Sequence, residues 1–170
     1  MQEKETPSLD TTTLRSQMEE LQERASKDGL SGLLNRQTAE SYINKRLEEM
    51  APEDTCALFI IDLDHFKQVN DTLGHRAGDW AIRQAAKALS GLFRAKDIVG
   101  RLGGDEFMVF LSGQITENVV RKKGERICQH LQIALESGVS LSASVGIHFA
   151  RGTSHDFNRL YQSADYALYQ

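Results

Sequence analysis

Hydrophobic and polar positions along the chain recur with two periods, one typical of helices and one typical of strands. The first 26 residues are polar apart from an apolar stripe at helical spacing, which comprises Leu14, Met18, Leu21 and Ala25. This pattern predicts a leader helix within residues 1–26 that is either a solvated extension or a stalk for a coiled-coil-like dimer, since fewer than three heptads are present. Gly29, Gly32 and Asn35 then predict a structured turn, so we place the boundary of the main domain at residue 27.

Residues 27–170 carry the pattern of one folded domain. The predicted elements are a helix over 37–50, a strand over 56–61, helices over 65–72 and 79–93 joined by a loop at Gly74-His75, strands over 98–102 and 106–111, a helix over 116–135, a strand over 141–150 and a helix over 157–169. From the first strand onward the order is βααββαβα. Because this order contains a hairpin, it favours an α+β fold with helices flanking a mainly antiparallel central sheet over a doubly wound parallel fold.

The charge, the apolar runs and the cysteines of the chain limit which partners and compartments we expect for it. A net charge of −4 gives no overall attraction to nucleic acid, and we expect none to bind. No apolar run reaches the roughly 18 residues of a spanning helix, so we expect membrane attachment only through segments outside this chain. Cys56 and Cys128 lie in apolar stretches, which predicts two buried thiols in a reducing compartment, the cytoplasm.

Two acidic pairs follow predicted strands. Asp62 and Asp64 come directly after the apolar strand, where Asp64 alone is best explained as a helix N-cap and the role of Asp62 stays open. Asp105 and Glu106 follow Gly103-Gly104 at the tip of the predicted hairpin. Carboxylate clusters at strand ends, beside the exposed N–H groups of a helix start, suit Mg²⁺ and substrate phosphates. Neither GxxxxGK[ST] nor GxGxxG occurs, so neither a P-loop nor a dinucleotide fold is supported.

Five ordered segments carry a family resemblance: DGLSGLLNR (28–36), DLDHFKQVNDTLGHRAGD (62–79), RLGGDEF (101–107), SASVGI (142–147) and SADYALY (163–169). Together they closely resemble the signature blocks of GGDEF diguanylate cyclases, over residues 27–170. The resemblance implies a fold like that of nucleotide cyclases and polymerase palms. It also implies the condensation of two GTP molecules into cyclic di-GMP with release of pyrophosphate. The alternative is a catalytically weak domain that binds GTP or cyclic di-GMP.

The resemblance also assigns metal and catalytic residues. Asp62 and Asp105 are expected to bind metal through their carboxylates, with the Leu63 carbonyl and Glu106 as further ligands. Two Mg²⁺ or Mn²⁺ ions per active site are expected. Asp105, supported by Glu106, is the expected catalytic residue, with Asp105 accepting the proton of the attacking hydroxyl.

Substrate residues follow from the same resemblance. Asn70 and Asp79 are expected to bind guanine, although Asp79 could also be a helix N-cap. Terminal phosphates are expected on the backbone amides of three consecutive residues, His65, Phe66 and Lys67. Phe66 could instead be mainly a core anchor, and Lys67 a surface lysine. His75 is expected to be structural or to lie near the base.

Arg94 and Asp97 match the family's RxxD inhibitory site, whose expected ligand is the cyclic di-GMP product; the alternative is an exposed charge pair. Because each domain is expected to hold one GTP, catalysis is expected to need a homodimer. The family's last block usually continues past the final ALY into a basic segment with a phosphate-binding Lys and Arg. This chain stops at Gln170, so we expect the catalytic domain to be truncated and less active.

Overall fold

The computed structural model describes residues 11–135, 138–152 and 155–170. The helices are α1 (Thr11–Ser26), α2 (Arg36–Glu48), α3 (Phe66–Leu73), α4 (His75–Leu92), α5 (Glu117–His130) and α6 (Phe157–Leu168). The strands are β1 (Leu34–Asn35), β2 (Thr55–Leu63), β3 (Ile98–Gly103), β4 (Glu106–Gly113), β5 (Ile133–Ala134), β6 (Ser140–Leu141) and β7 (Ala143–Arg151).

Five strands form the main sheet in the order β1-β3-β4-β2-β7. All neighbours in this sheet are antiparallel except β1 and β3, which are parallel. Helices flank the sheet, so the predicted α+β class and mainly antiparallel sheet are confirmed. The parallel β1 was missed, because a two-residue strand is too short to show a periodicity.

Strand β2 is buried almost throughout, because helices cover both of its faces. Ala57, Phe59 and Ile61 pack in the core cluster that contains side chains of α4 and α5. The alternating residues Cys56, Leu58 and Ile60 pack in a second cluster with α2 and α6. Burial of each large apolar side chain contributes about 1.5–3 kcal/mol to folding. The continuous apolar run of β2 therefore anchors the strand that carries Asp62 next to its last residue.

The predicted boundaries of two helices were wrong. Helix α4 begins at His75, four residues before the predicted start, because Gly74, with a φ of 83°, separates it from α3 without a longer loop. Helix α5 ends at His130, and the next residues form β5, which pairs with β6 in a separate small sheet. Leu131, Ile133 and Leu135 are buried while the residues between them are exposed, which is the period of a strand.

The leader is helical from Thr11 to Ser26, and residues 1–10 of the predicted leader lie outside the described residues. Leu14, Met18 and Leu21 of the apolar stripe are 43%, 60% and 64% exposed. A role for the helix as a dimer stalk stays a prediction. None of the described helices combines the length and the hydrophobicity of a membrane-spanning segment. Both cysteines are free thiols, with Cys56 buried as predicted and Cys128 only half-buried.

Candidate active site

Three predicted carboxylates lie at one end of the main sheet. Asp62, the penultimate residue of β2, is the register partner of Glu106 at the start of β4. The backbone N–H of Leu63 donates to the carbonyl oxygen of Asp105 over 3.3 Å. Asp62, Asp105 and Glu106 are all half-buried. The sheet thus brings residues 62, 105 and 106 to one place, as predicted, and we call it the carboxylate end.

The turn between β3 and β4 requires its glycines. Gly103 and Gly104 have φ values of 142° and 53°, which residues with a Cβ rarely adopt. The register also shifts between Arg101 and Gly103, so the hairpin is bulged where it reaches the site. This local geometry presents Asp105 beside the end of β2.

Negative charge accumulates at the carboxylate end. Burial, together with the negative charges of Asp105, Glu106 and Asp64, raises the pKa of Asp62 to about 6. Burial and the charges of Asp105 and Asp165 also raise the pKa of Glu106, against the opposing effect of Arg36. Arg36 and Asp165, at the start of α2 and in α6, were not assigned a role from the sequence. The site attracts cations.

A hard divalent cation fits this donor set. Mg²⁺ prefers carboxylate and carbonyl oxygens, and it usually takes only one or two protein carboxylates and completes its shell with phosphates and water. In the part of the chain that the structure describes, no three His, Cys, Asp or Glu side chains converge as a complete metal site. The arrangement therefore suits an ion that a bound triphosphate helps to hold.

The prediction that Asp64 caps α3 was wrong. The N-cap of α3 is His65, and its side chain makes no capping hydrogen bond. The Asp64 carboxylate instead accepts hydrogen bonds from the hydroxyls of Ser142 and Ser144, at 2.5 and 2.6 Å. The Asp64 N–H also donates to the Ser142 carbonyl oxygen over 3.0 Å. These bonds join the end of β2 to the segment that leads into β7.

The predicted phosphate-binding residues lie at the start of α3. His65 has a φ of 59° and is the only described residue other than glycine with positive φ, so the chain turns sharply there before the helix begins. His65 and Lys67 are exposed, whereas the Phe66 side chain packs against the core, in agreement with its alternative role as an anchor. The first N–H groups of α3 lack intrahelical acceptors and point away from the helix, which suits an anion.

The predicted guanine-binding residues come from two packed helices. Asn70 is half-buried on α3, and Asp79 is exposed on α4. Asp79 is the fifth residue of α4, so its alternative role as an N-cap is excluded. His75 is exposed at the first position of α4 and not in a loop as predicted.

Arg94 and Asp97 lie in the turn between α4 and β3, at the end of β3 opposite the carboxylates. The Arg94 N–H donates to Asp97 Oδ2 over 2.9 Å, and the Asp97 N–H donates to the Arg94 carbonyl oxygen over 2.9 Å. Both residues line a cavity of about 910 Å³, whose other lining residues include Lys45 and Arg46 of α2. We call this the basic cavity; it is larger than the cavity of about 200 Å³ that Asp64 and His65 line.

A half-buried ion pair that was not assigned from the sequence holds the hairpin turn. Arg101 Nη1 lies 2.9 Å from Asp28 Oδ1, and Arg101 Nη2 donates to the Gly104 carbonyl oxygen over 2.7 Å. Burial raises the pKa of Asp28, but hydrogen bonds from Ser31 and Arg101 outweigh it and leave that pKa below its usual value. Both ion-pair partners lie in the quoted sequence segments, but they are 73 positions apart, and only the tertiary structure brings them together.

Comparison with known proteins gives the same signal as the five sequence segments. A family model described as "Diguanylate cyclase, GGDEF domain" matches residues 25–170. The probable diguanylate cyclase DgcC of Escherichia coli strain K12 is 33% identical over 162 residues, which cover 94% of this chain and 44% of the relative. The diguanylate cyclase DosC of the same strain is 35% identical over 176 residues, which cover 99% of this chain and 38% of the relative. The chain thus spans less than half the length of these curated relatives.

Solved structures agree on the fold. The coiled coil and GGDEF domain of DgcB from Caulobacter crescentus, solved in complex with c-di-GMP, superposes with a TM-score of 0.85 at 28% identity. That match covers 94% of this chain and 86% of the other. The diguanylate cyclase SiaD of Pseudomonas aeruginosa, solved with its activator SiaC, gives a TM-score of 0.78 at 31% identity, covering 94% and 62% of the two chains.

Proposed function

Because the chain belongs to the GGDEF family of diguanylate cyclases, we propose that it condenses two molecules of GTP into cyclic di-GMP and releases two of pyrophosphate. The observation that carries the proposal is the placement of Asp62, Asp105 and Glu106 at one end of the main sheet, beside the start of α3. A family match alone would also fit a domain that has lost its acids.

In the proposed reaction, the 3′-hydroxyl of one GTP attacks the α-phosphorus of the other. A new phosphorus–oxygen bond forms, the bond between the α-phosphorus and the bridging oxygen breaks, and pyrophosphate leaves. The carboxylate of Asp105 accepts the hydroxyl proton, and Glu106 assists from the next position. A second step of the same kind, in which the 3′-hydroxyl of the other nucleotide attacks the remaining α-phosphorus, closes the ring and releases the second pyrophosphate.

Asp62, Asp105, Glu106 and the Leu63 carbonyl would hold two Mg²⁺ or Mn²⁺ ions, which would neutralise the triphosphate and stabilise the departing pyrophosphate. The mutual repulsion of the acids supports this assignment, because a bound cation relieves it.

The residues around the acids orient GTP. The free N–H groups at His65, Phe66 and Lys67 bind the terminal phosphates. Asp79 accepts hydrogen bonds from guanine N1–H and the amino group, which adenine does not offer in that arrangement, and Asn70 contacts the same base. His75 lies near the base. The exposure of Asp79 and of the α3 start supports these roles.

Two copies of the domain face each other during catalysis, because each carboxylate end holds one GTP and the reaction joins two. The exposed apolar stripe of α1 supports dimerisation through the leader. We place the domain in the cytoplasm, where its substrate GTP is made and where free thiols persist.

Product inhibition is assigned to the basic cavity. Arg94 binds phosphate or the acceptor edge of guanine in cyclic di-GMP, and Asp97 accepts from the guanine N–H groups. The position of both residues on the wall of one large cavity supports this site over an isolated surface charge pair.

The deciding experiment is chromatographic analysis of products formed from GTP with Mg²⁺ or Mn²⁺, at protein concentrations high enough for dimerisation. We expect cyclic di-GMP and pyrophosphate. Binding of GTP or cyclic di-GMP without any product would favour the alternative, a catalytically weak binding module.

A further inference from the structure

Gly78 lies in α4 where that helix packs against α3. A Cβ at residue 78 would overlap Oδ1 of Asn70, and it would lie 3.0 Å from Asn70 Cγ and 3.1 Å from Phe66 Cζ. The amide of Asn70 thus occupies the space that any other side chain at position 78 would need.

The backbone does not require a glycine here. Gly78 is not among the described glycines with positive φ, so an alanine could adopt the same helical conformation. Alanine is also the better helix former. The close approach of Asn70 is therefore the feature that requires a glycine, with no side chain, at position 78.

We propose that Gly78 is a positioning residue for base recognition, and this inference rests on the proposed function. Without a side chain at 78, the Asn70 amide lies against α4, one residue from Asp79. One base can then contact a carboxylate from α4 and an amide from α3 together. A methyl group at 78 would push the amide away, while the end of the Asn70 side chain is mobile enough for the fold to survive.

A Cβ at residue 78 would also come close to the ring of Phe66. Phe66 is the first residue of α3, whose N–H groups are assigned to the phosphates. A Cβ at 3.1 Å from its ring is tighter than ordinary van der Waals contact, so the ring must also yield slightly. The Phe66 contact is much the milder of the two, since the ring needs to move by only a few tenths of an ångström, so the Asn70 amide is the group that a Cβ at residue 78 would displace.

The chain offers a matched control in Gly91. It lies in the same helix and is also absent from the positive-φ set, and a Cβ at residue 91 would have nothing within 4 Å. Gly91→Ala therefore makes the same chemical change without any steric consequence.

The experiment uses the single tryptophan, Trp80, which adjoins Asp79 and is 40% exposed, as a fluorescent reporter. GTP and ATP are titrated into dilute protein with Mg²⁺, and KM and kcat are measured separately at higher concentration. Gly78→Ala should weaken GTP binding about tenfold, the loss expected for one misplaced hydrogen bond, and leave the weak ATP binding unchanged. The same variant should raise KM with little change in kcat, and Gly91→Ala should match the native chain.

A double-mutant cycle with Asn70→Ala tests whether Gly78→Ala weakens GTP binding through the Asn70 side chain. In the Asn70→Ala background the obstructing amide is gone, so Gly78→Ala should change GTP affinity by less than about twofold. An equal effect in both backgrounds, or unchanged GTP affinity in Gly78→Ala, would overturn the positioning role. A native chain that does not prefer GTP over ATP would overturn the proposed function itself, and this inference with it.

Discussion

The two ends of β3 present opposite charges to ligands of similar chemistry. At the end of the strand, the hairpin holds Asp105 and Glu106 beside Asp62, and neighbouring acids raise the pKa values of Asp62 and Glu106. At its start, about 17 Å away for a six-residue strand, Arg94 faces a cavity that Lys45 and Arg46 also line. On the proposed assignments, we expect an anionic nucleotide to enter the basic cavity unaided, whereas a triphosphate should bind at the carboxylate end only together with cations.

The largest effect of a substitution is expected from Asp105→Ala, which removes both a proposed metal ligand and the proposed proton acceptor. We expect turnover to fall by at least about 1,000-fold, measured as cyclic di-GMP formed per minute. Binding of cyclic di-GMP at the basic cavity should persist. Glu53→Gln removes an exposed acid near the opposite end of β2 and should be silent; comparable losses in both variants would contradict the assignment.

Removal of divalent metal should distinguish nucleotide binding at the carboxylate end from binding at the basic cavity without any mutation. With excess EDTA we expect no detectable turnover and GTP affinity at least about tenfold lower, while cyclic di-GMP still binds within about twofold of its original affinity. Calorimetric titrations with each nucleotide check both statements. A parallel loss of cyclic di-GMP binding would show that the basic cavity does not act alone.

Arg94→Ala should act only on the basic end. We expect the concentration of cyclic di-GMP that halves the rate to rise about tenfold or more, because a charged hydrogen-bond donor is lost. Initial rates, taken before product accumulates, should change far less than that concentration. Lys87→Ala, which removes an exposed cation in the middle of α4, serves as the charge-matched control. Unchanged inhibition in Arg94→Ala would remove the product site from this cavity.

The smallest effect is expected from Asp28→Asn, which weakens the contact that holds the hairpin turn. We expect the free energy of unfolding to fall by about 1 kcal/mol at neutral pH and turnover to fall severalfold, with cyclic di-GMP binding unaffected. Because the pKa of Asp28 is lowered by folding, its stabilising effect is present above the unfolded pKa of about 3.9 and is lost as the pH falls through the folded value.

Denaturant titrations from pH 7 to pH 3 check that sign. The native chain should lose this part of its stability at acidic pH, so the difference between it and Asp28→Asn should shrink there. A difference that stays constant over the whole range would mean that the Asp28 charge does not stabilise the turn.

Strong local patterns predicted most of the fold. The apolar run of β2 and the Gly103-Gly104 turn are properties of short segments, and both were located from the sequence. The end of α5 was misplaced because the alternation at Leu131, Ile133 and Leu135 follows a helix without an intervening glycine or proline. Such a boundary is decided by pairing with β6, which the local pattern does not contain.

The proposed site residues could be named from positions within single sequence segments, whereas the residues that the sequence analysis missed act between segments. Asp64 has the ideal position for a helix cap, yet its carboxylate bonds two serines 78 and 80 residues away. A local capping preference of about 1 kcal/mol is outweighed when two hydroxyl donors are available. The ion pair of Asp28 with Arg101 is equally non-local.

Strand β2 is buried along nearly its whole length except at its penultimate residue, a half-buried acid that lies among other acids. Its apolar residues drive folding, whereas Asp62 opposes it through desolvation and repulsion. A laboratory selection for thermal stability alone would therefore favour the replacement of Asp62 by a neutral residue such as asparagine. If Asp62 binds metal as proposed, the survivors would be more stable and inactive. Only a selection that also demands turnover would keep this residue.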